Sequence, residues 1–355
     1  MLKTYLSSLN LSELIVMEEQ MYEESMKIAK DAFRRFPLKN VRGVPLMEAI
    51  VQNWESVCTF CPDPSDLLMA AYPKAGITWT QEIVDLLLHN GDAMACRRAP
   101  TILRHPFLEI FSPPPIPSGL DLLNKMDPPR VIKTHLPIQL VPEGFWKNKC
   151  KVIYVARNAK DNLVSYYHFD RMNLTHPDPG PWDGYIHKFM KGELAWGSWY
   201  DHVKGYWEER QKINILYLFY EDMKENPRRE VERIMKYLDL SCSDDVIKRV
   251  VELTSFKVMK DNPMANYTFI TKPIFDHSIS PFMRKGWCFF QYFILISCVV
   301  VMVLLLDKNI LLKNYCKAMF QYPTYISYSD EYFLGCIVCL MLSWKKQLLS
   351  TRAWE

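Results

Sequence analysis

Charge of one sign is scarce in this chain: 43 Lys and Arg stand against 40 Asp and Glu, a formal net charge of +3 over 355 residues. So small and evenly spread an excess argues against a nucleic-acid groove, and any anion site has to be local. A cysteine framework is missing too. The ten cysteines keep no regular spacing, and Cys58 with Cys61 forms one CxxC that no second pair follows. Reduced thiols are the better reading, with zinc or redox chemistry as the lesser one. The amino-terminal stretch carries no continuous apolar core of the kind a signal peptide or a membrane span needs. Secretion is therefore not expected, a cytoplasmic location is, and the triplets at Asn10, Asn173 and Asn266 read as chance sequons without glycans. No internal repeat is visible, and no G-x-x-x-x-G-K-[ST] loop occurs.

What the chain does have is apolar mass, 49% of its residues, enough for a substantial core. Residues 1–35 form a polar, charged leader. From Phe36 to Gly286 apolar runs alternate with amphipathic stretches, the pattern of one α/β domain with a central parallel sheet and flanking crossover helices. Strands are expected at 67–72, 130–134, 151–156 and 213–220. Ligands of open α/β sheets bind beyond the carboxyl ends of strands, so chemistry is to be sought just after those runs. The composition changes at 287, where residues 287–306 carry no charge and Gln291 as the one strongly polar member, long enough to span a bilayer. A second apolar run at 332–344 is short for that purpose.

Residues 72–79, Tyr-Pro-Lys-Ala-Gly-Ile-Thr-Trp, join the first of these strands to a helix. They have the makings of a phosphate-binding strand-loop-helix: Gly76 lets backbone approach an anion, the helix start offers unpaired amides, Thr78 a hydroxyl and Lys74 a mobile cation. Taken alone, the stretch reads equally well as an ordinary strand-to-helix turn with a surface lysine.

It does not stand alone. The loop resembles the YPKSGTTW phosphosulfate loop of the cytosolic sulfotransferases, whose remaining signatures follow in order: PPRVIKTHLP at 128–137, YVARNAKD at 154–161 running into SYYHF at 165–169, LYLFYEDM at 216–223, TSFKVM at 254–259 and FMRKG at 282–286. The texture is most similar to the phenol-directed branch. The resemblance implies a fold of the α/β class above and a donor, 3′-phosphoadenosine 5′-phosphosulfate (PAPS), from which a sulfuryl group moves to the hydroxyl or amine of a small acceptor without a metal. It implies His135 as general base, Lys74 at the bridging oxygen and 5′-phosphate, and Lys133 on the sulfuryl oxygens. It further implies that residues Lys74, Ala75, Gly76, Ile77, Thr78 and Trp79 cradle the donor's 5′ end and adenine. Arg157 and Ser165, with Arg284, Lys285 and Gly286, would hold the 3′-phosphate. Phe256 would face Trp79 across adenine, and Tyr220, Thr254, Ser255 and Met259 would complete the nucleotide site. Phe107 and Phe169 would wall the acceptor pocket beside Lys133 and His135. These types suit the chemistry: ammonium groups meet developing charge, guanidinium forks phosphate, and imidazole titrates near neutrality.

Two departures from the family pattern stand out. Ile77 replaces a phosphate-binding threonine, one neutral hydrogen bond of about 1 kcal/mol, so weaker donor binding is expected rather than none. Beyond Gly286 the family's GxxGDW segment and KxxxTVxxxE dimer motif are absent, so the family homodimer is not expected. Residues 287–355 then read as an alternative carboxyl end, a membrane tail or a buried replacement helix, and a PAPS-binding but inactive or membrane-tethered variant stands as the rival reading. A kinase of the P-loop type is disfavoured by the missing Walker order.

Overall fold

A computed structural model describes residues 32–285. The chain divides into two units, Met1–Trp287 and Cys288–Glu355. All described residues lie in the first. Gly286, the apolar runs at 287–306 and 332–344, and Asn10 lie outside the described residues. Among the described residues no helix is long and apolar enough to cross a membrane.

Four short strands make the central sheet: β3 (Leu67–Ala71), β4 (Val131–Thr134), β5 (Lys151–Ala156) and β6 (Ile215–Phe219), ordered β4-β3-β5-β6 and parallel throughout. Every β3 residue is buried, as a strand covered by helices on both faces requires, which is why it reads as an unbroken apolar run. The expected strand 151–156 matches β5 at both ends. The others shrink at their edges. Tyr72 and Arg130 fall outside the ladder, Ile213 and Asn214 belong to the preceding turn, and Tyr220 already opens a short helix, Tyr220–Glu225. A separate antiparallel hairpin, β1 (Leu38–Val41) with β2 (Val44–Met47), was not anticipated. It turns through Arg42 and Gly43, both at positive φ (50° and 87°), as a two-residue hairpin loop demands.

Five helices matter for the site: α1 (Ile77–Leu88), α2 (Ala159–Met172), α3 (Trp182–Lys191), α4 (Trp199–Glu209) and α5 (Asp244–Leu253). α1 starts where β3 ends, and its Ile83, Val84, Leu86 and Leu87 pack with Met69, Ile153 and Leu218 of the sheet and Ile247 and Val250 of α5. α2 begins two residues after Arg157, because the intervening Asn158 caps it by accepting from the Asp161 amide at 3.0 Å. Two of the sequon asparagines have structural tasks. Asn173 and Asn266 are buried, and their Oδ1 atoms accept from the amide and hydroxyl of Thr175 and Thr268 respectively, fixing tight turns.

Candidate active site

The carboxyl ends of β3, β4 and β5 open onto one cavity of about 930 Å³, lined mainly by apolar groups and entered by a set of cations. Its floor is the loop after β3. Lys74 and Gly76 both sit at positive φ, 66° and 107°, so the loop turns back on itself before α1 begins. A Cβ on Gly76 would lie 2.7 Å from Tyr220 Cδ2, so only glycine fits beneath that ring. Trp79 on the first turn of α1 meets Tyr220 edge to face at 5.5 Å.

Lys74 is placed by aromatic rings. Its Nζ lies 3.7 Å from the centroid of Phe282 and 4.6 Å from that of Phe169, and it donates to the Phe282 carbonyl at 3.3 Å. Arg157, just past β5, donates to the Lys74 carbonyl at 3.1 Å and stacks over Tyr220 at 4.3 Å, which ties two strand ends together. Lys133, near the end of β4, lies over Phe107 at 4.4 Å. The backbone explains that contact: Leu108 donates to the Lys133 carbonyl, Lys133 donates to Pro106, and Phe107 pairs with Lys133 as an extra edge of the sheet. Burial and the neighbouring charges of Lys133, Arg157 and Arg284 bring Lys74 down to about 7. Lys133 falls to about 8, again through burial, with Glu109 pulling the other way. Arg284 is lowered by burial and then by Arg157. Burial is the largest cause for all three, and an anion bound among them would favour their charged forms again. Three buried donors on residues that line the cavity, Trp79 Nε1, Arg157 Nε and Arg284 Nε, have no hydrogen-bond partner among the described residues. An adenine nucleotide with phosphates at both ends of its ribose fits that donor set, where an uncharged ligand would leave the donors unpaired.

His135 follows β4 and is held from four sides. Its Nδ1 donates to the Ala71 carbonyl at 2.6 Å, which fixes the proton on that nitrogen and leaves Nε2 with a lone pair. Its amide donates to Glu109 Oε1 at 2.7 Å, and its carbonyl accepts from His202 Nε2 at 2.9 Å, His202 being oriented in turn by the Tyr154 hydroxyl. Its ring meets Phe107 at 4.8 Å and Trp196 at 5.4 Å, both edge to face. Burial, helped by Lys133, holds the imidazole well below its usual titration, so it is neutral at pH 7. Glu109 gathers this end of the site: it also accepts from Thr134 Oγ1 at 2.9 Å and Trp196 Nε1 at 3.0 Å, and burial raises it to about 7.

Of the residues singled out in the sequence, Lys74, Gly76, Ile77, Thr78, Trp79, Phe107, Lys133, His135, Arg157, Ser165, Phe169, Tyr220, Thr254, Ser255, Phe256, Met259, Arg284 and Lys285 all line this one cavity. Ala75 does not: its amide closes the loop onto the Tyr72 carbonyl at 3.1 Å and its side chain joins the core. Gly286 lies outside the described residues. The Thr254 hydroxyl donates to the Val250 carbonyl at 2.8 Å, so toward a ligand it is an acceptor. Sequence reasoning missed Glu109, Trp196 and His176, isolated polar or aromatic residues with no motif around them. The CxxC cysteines stay free thiols. Among the described residues the one group with metal-ligand spacing is Asp85, His89 and Cys96, far from CxxC in sequence, and Asp85 is already bound by Arg98 and Arg104.

Comparison with known proteins agrees with this arrangement. A family model described as a sulfotransferase domain matches residues 64–289. Sulfotransferase 1 family member D1 of Mus musculus is 51% identical over 256 residues, 72% of this chain and 86% of that protein. Sulfotransferase 1A1 of Canis lupus familiaris is 52% identical over 252 residues, 71% of this chain and 85% of the relative. Among solved structures, mouse sulfotransferase SULT7A1 complexed with PAP superposes with a TM-score of 0.57 at 26% identity, covering 71% of this chain and 85% of that one. Retinol dehydratase gives a TM-score of 0.64 at 24% identity over 79% of this chain and 93% of that one, a likeness of fold. A match of this length and identity, on a chain whose strand ends converge on one cation-rich cavity, places the protein in the cytosolic sulfotransferase family.

Proposed function

We propose that this protein moves a sulfuryl group from PAPS to the hydroxyl of a small phenolic acceptor, with His135 as general base. The observation that carries the proposal is the neutral His135 imidazole, its Nδ1 proton committed to Ala71, standing in one cavity with Lys74, Lys133, Arg157 and Arg284. The mouse relative solved with PAP supports the choice of nucleotide.

When bound, PAPS supplies a sulfuryl group already activated by its phosphate leaving group. The chain's own residues do the rest. Arg157, Ser165, Arg284 and Lys285 hold the 3′-phosphate, and Thr78 with the amides of the α1 start holds the 5′ end. Trp79 and Phe256 flank adenine. Lys74, the cation of the phosphate loop, stabilises charge on the departing oxygen, and Lys133 steadies the sulfuryl oxygens. His135 Nε2 takes the acceptor's proton, and because Ala71 keeps the other nitrogen protonated the ring becomes an imidazolium without turning. Phe107 and Phe169 bound the acceptor end, and their rings also seat Lys133 and Lys74. Loss of a general base typically costs about 10²- to 10⁴-fold in rate. His135→Ala should lose turnover on that scale with sulfur-labelled PAPS and a phenol panel, while calorimetry still shows nucleotide binding. Undiminished turnover would remove the role.

A further inference from the structure

Glu109 belongs to the site without lining the cavity. It is fully buried, and the mechanism above gives it no step. The pairing of Phe107 with Lys133 at the sheet edge carries Glu109 alongside the end of β4, and there its two oxygens hold three donors. Oε1 accepts from the His135 amide at 2.7 Å and from Trp196 Nε1 at 3.0 Å, and Oε2 accepts from Thr134 Oγ1 at 2.9 Å. The amide and the indole can only donate, and the Thr134 hydroxyl, which accepts from the Leu136 amide at 3.0 Å, has its own proton for Oε2. An ionised carboxylate is the group that satisfies all three. Lys133 is the remaining partner: burial opposes its ammonium charge, and the Glu109 carboxylate counters that cost. Other titratable groups packed around this end are His135 itself and, on α4, His202 and Tyr206, with His176 beyond Trp196. His202 and Tyr206 bond to the carbonyls of His135 and Leu136, so neither meets Glu109 directly. One carboxylate thus fixes Thr134 and His135 and stands against the charge of Lys133 just before them.

We infer that Glu109 is the positioning residue of the transfer step: its ionised carboxylate sets the β4 end that carries His135 and keeps the Lys133 ammonium charged for the sulfuryl oxygens. The inference rests on the roles proposed above for Lys133 and His135. A lysine that has given up its proton no longer stabilises negative charge, so Glu109 acts on the reaction through its neighbours.

The test measures single-turnover sulfuryl transfer from prebound PAPS between about pH 6 and 9.5, with an unsubstituted phenol, whose own ionisation at about pH 10 lies above the range. The wild-type rate should rise as Glu109 ionises, from about 7 in the free protein, and fall as Lys133 discharges, from about 8, both limbs standing higher once anionic PAPS is bound. His135 titrates well below the first limb. Glu109→Gln keeps a carbonyl oxygen for the His135 amide and the indole and removes the charge. It should lose the acid limb and bring the alkaline limb down by about one unit, so that above both limbs it runs about tenfold slower than wild type. Its affinity for adenosine 3′,5′-bisphosphate, which has no sulfuryl oxygens for Lys133 to meet, should stay that of wild type. Thr134→Val supplies an independent arm: it takes one donor from Oε2 and leaves the charge, so it should raise the acid limb and leave the alkaline limb in place. A wild-type rate with no acid limb, or limbs that stay where they are in both variants, would overturn the inference. Failure of the parent reading looks different, since wild type would then transfer nothing to the phenol, or Lys133→Met and His135→Ala would each keep the full rate.

Discussion

Nucleotide binding should take up a proton above pH 7, and Lys74 is the group that takes it. In the free protein its ammonium is held at about 7 by burial and by the charges of Lys133, Arg157 and Arg284. A phosphate placed among these groups supplies the missing opposite charge and returns Lys74 toward the ordinary lysine range near 10.4. Below pH 7 Lys74 is charged in both states and affinity is flat on its account. Above pH 7 the free protein has released a proton that the complex retains, so each further pH unit weakens binding about tenfold, or about 1.4 kcal/mol. His135 titrates well below that window and a phosphate monoester loses its second proton near pH 6, whereas Glu109, raised to about 7 by burial, titrates inside it, so the Lys74→Met variant is what assigns the uptake to Lys74. Lys133, at about 8, adds a second proton further up. Isothermal calorimetry with adenosine 3′,5′-bisphosphate, in pairs of buffers with different heats of ionisation at about pH 6.5, 7.5 and 8.5, reads the uptake directly. The expected values rise from near zero toward one proton and beyond. Lys74→Met should bind more weakly and take up less than the wild type between pH 7 and 8, the remainder coming from groups such as Lys133. A wild-type affinity that does not change over this range, or a Lys74→Met protein that keeps the full uptake, would refute the reasoning.

Gly76→Ala should lose at least about tenfold in nucleotide affinity, since an alanine at φ 107° costs about 1–3 kcal/mol of backbone strain and its Cβ meets Tyr220 at 2.7 Å. Adding Tyr220→Ala relieves the clash and not the strain, so recovery in the double variant should be partial, and full binding by the single variant would contradict the geometry. Stability has a different weak point at the foot of β3 and β4. Asp66 is 1% exposed and accepts from the Arg130 amide at 2.8 Å and from its guanidinium at 2.6 Å. Asp66→Ala strands a buried guanidinium and should lower the unfolding free energy in urea by about 3–5 kcal/mol. A loss below about 1 kcal/mol would show that Arg130 finds water instead.

How much of this was legible in the sequence depended on how local each signal was. β5 was readable because both faces are buried from Val152 to Ala156 and that run is unbroken by charge. The hairpin was not, because its strands are four residues each and Pro45, which has no amide to give a ladder, sits inside the second. Lys74, Lys133 and Arg157 were readable because each lies at or just past the end of a sheet strand, where an α/β fold presents ligands, whereas Arg284 and Lys285 sit in irregular chain and were legible through their motif alone. Glu109, Trp196 and His176 follow another logic. Glu109 reaches His135 because Phe107 and Leu108 pair with Lys133 across the sheet edge, a register that nothing in the local stretch announces. Gly119 is part of the same arrangement: a Cβ there would lie 1.8 Å from the Phe107 carbonyl, so this edge closes only over a glycine. Trp196 arrives from the loop before α4 and takes the same carboxylate through its indole at 3.0 Å. The loop carrying Lys74 and the turn carrying Arg157 are thus placed by the fold's recurring strand-to-helix junctions, whereas the surroundings of His135 are made by contacts between distant loops. Changes in those loops can alter what is sulfated while leaving the phosphate cradle intact, and that is the physical reason the donor could be read from this sequence and the acceptor had to be argued from the geometry around Trp196.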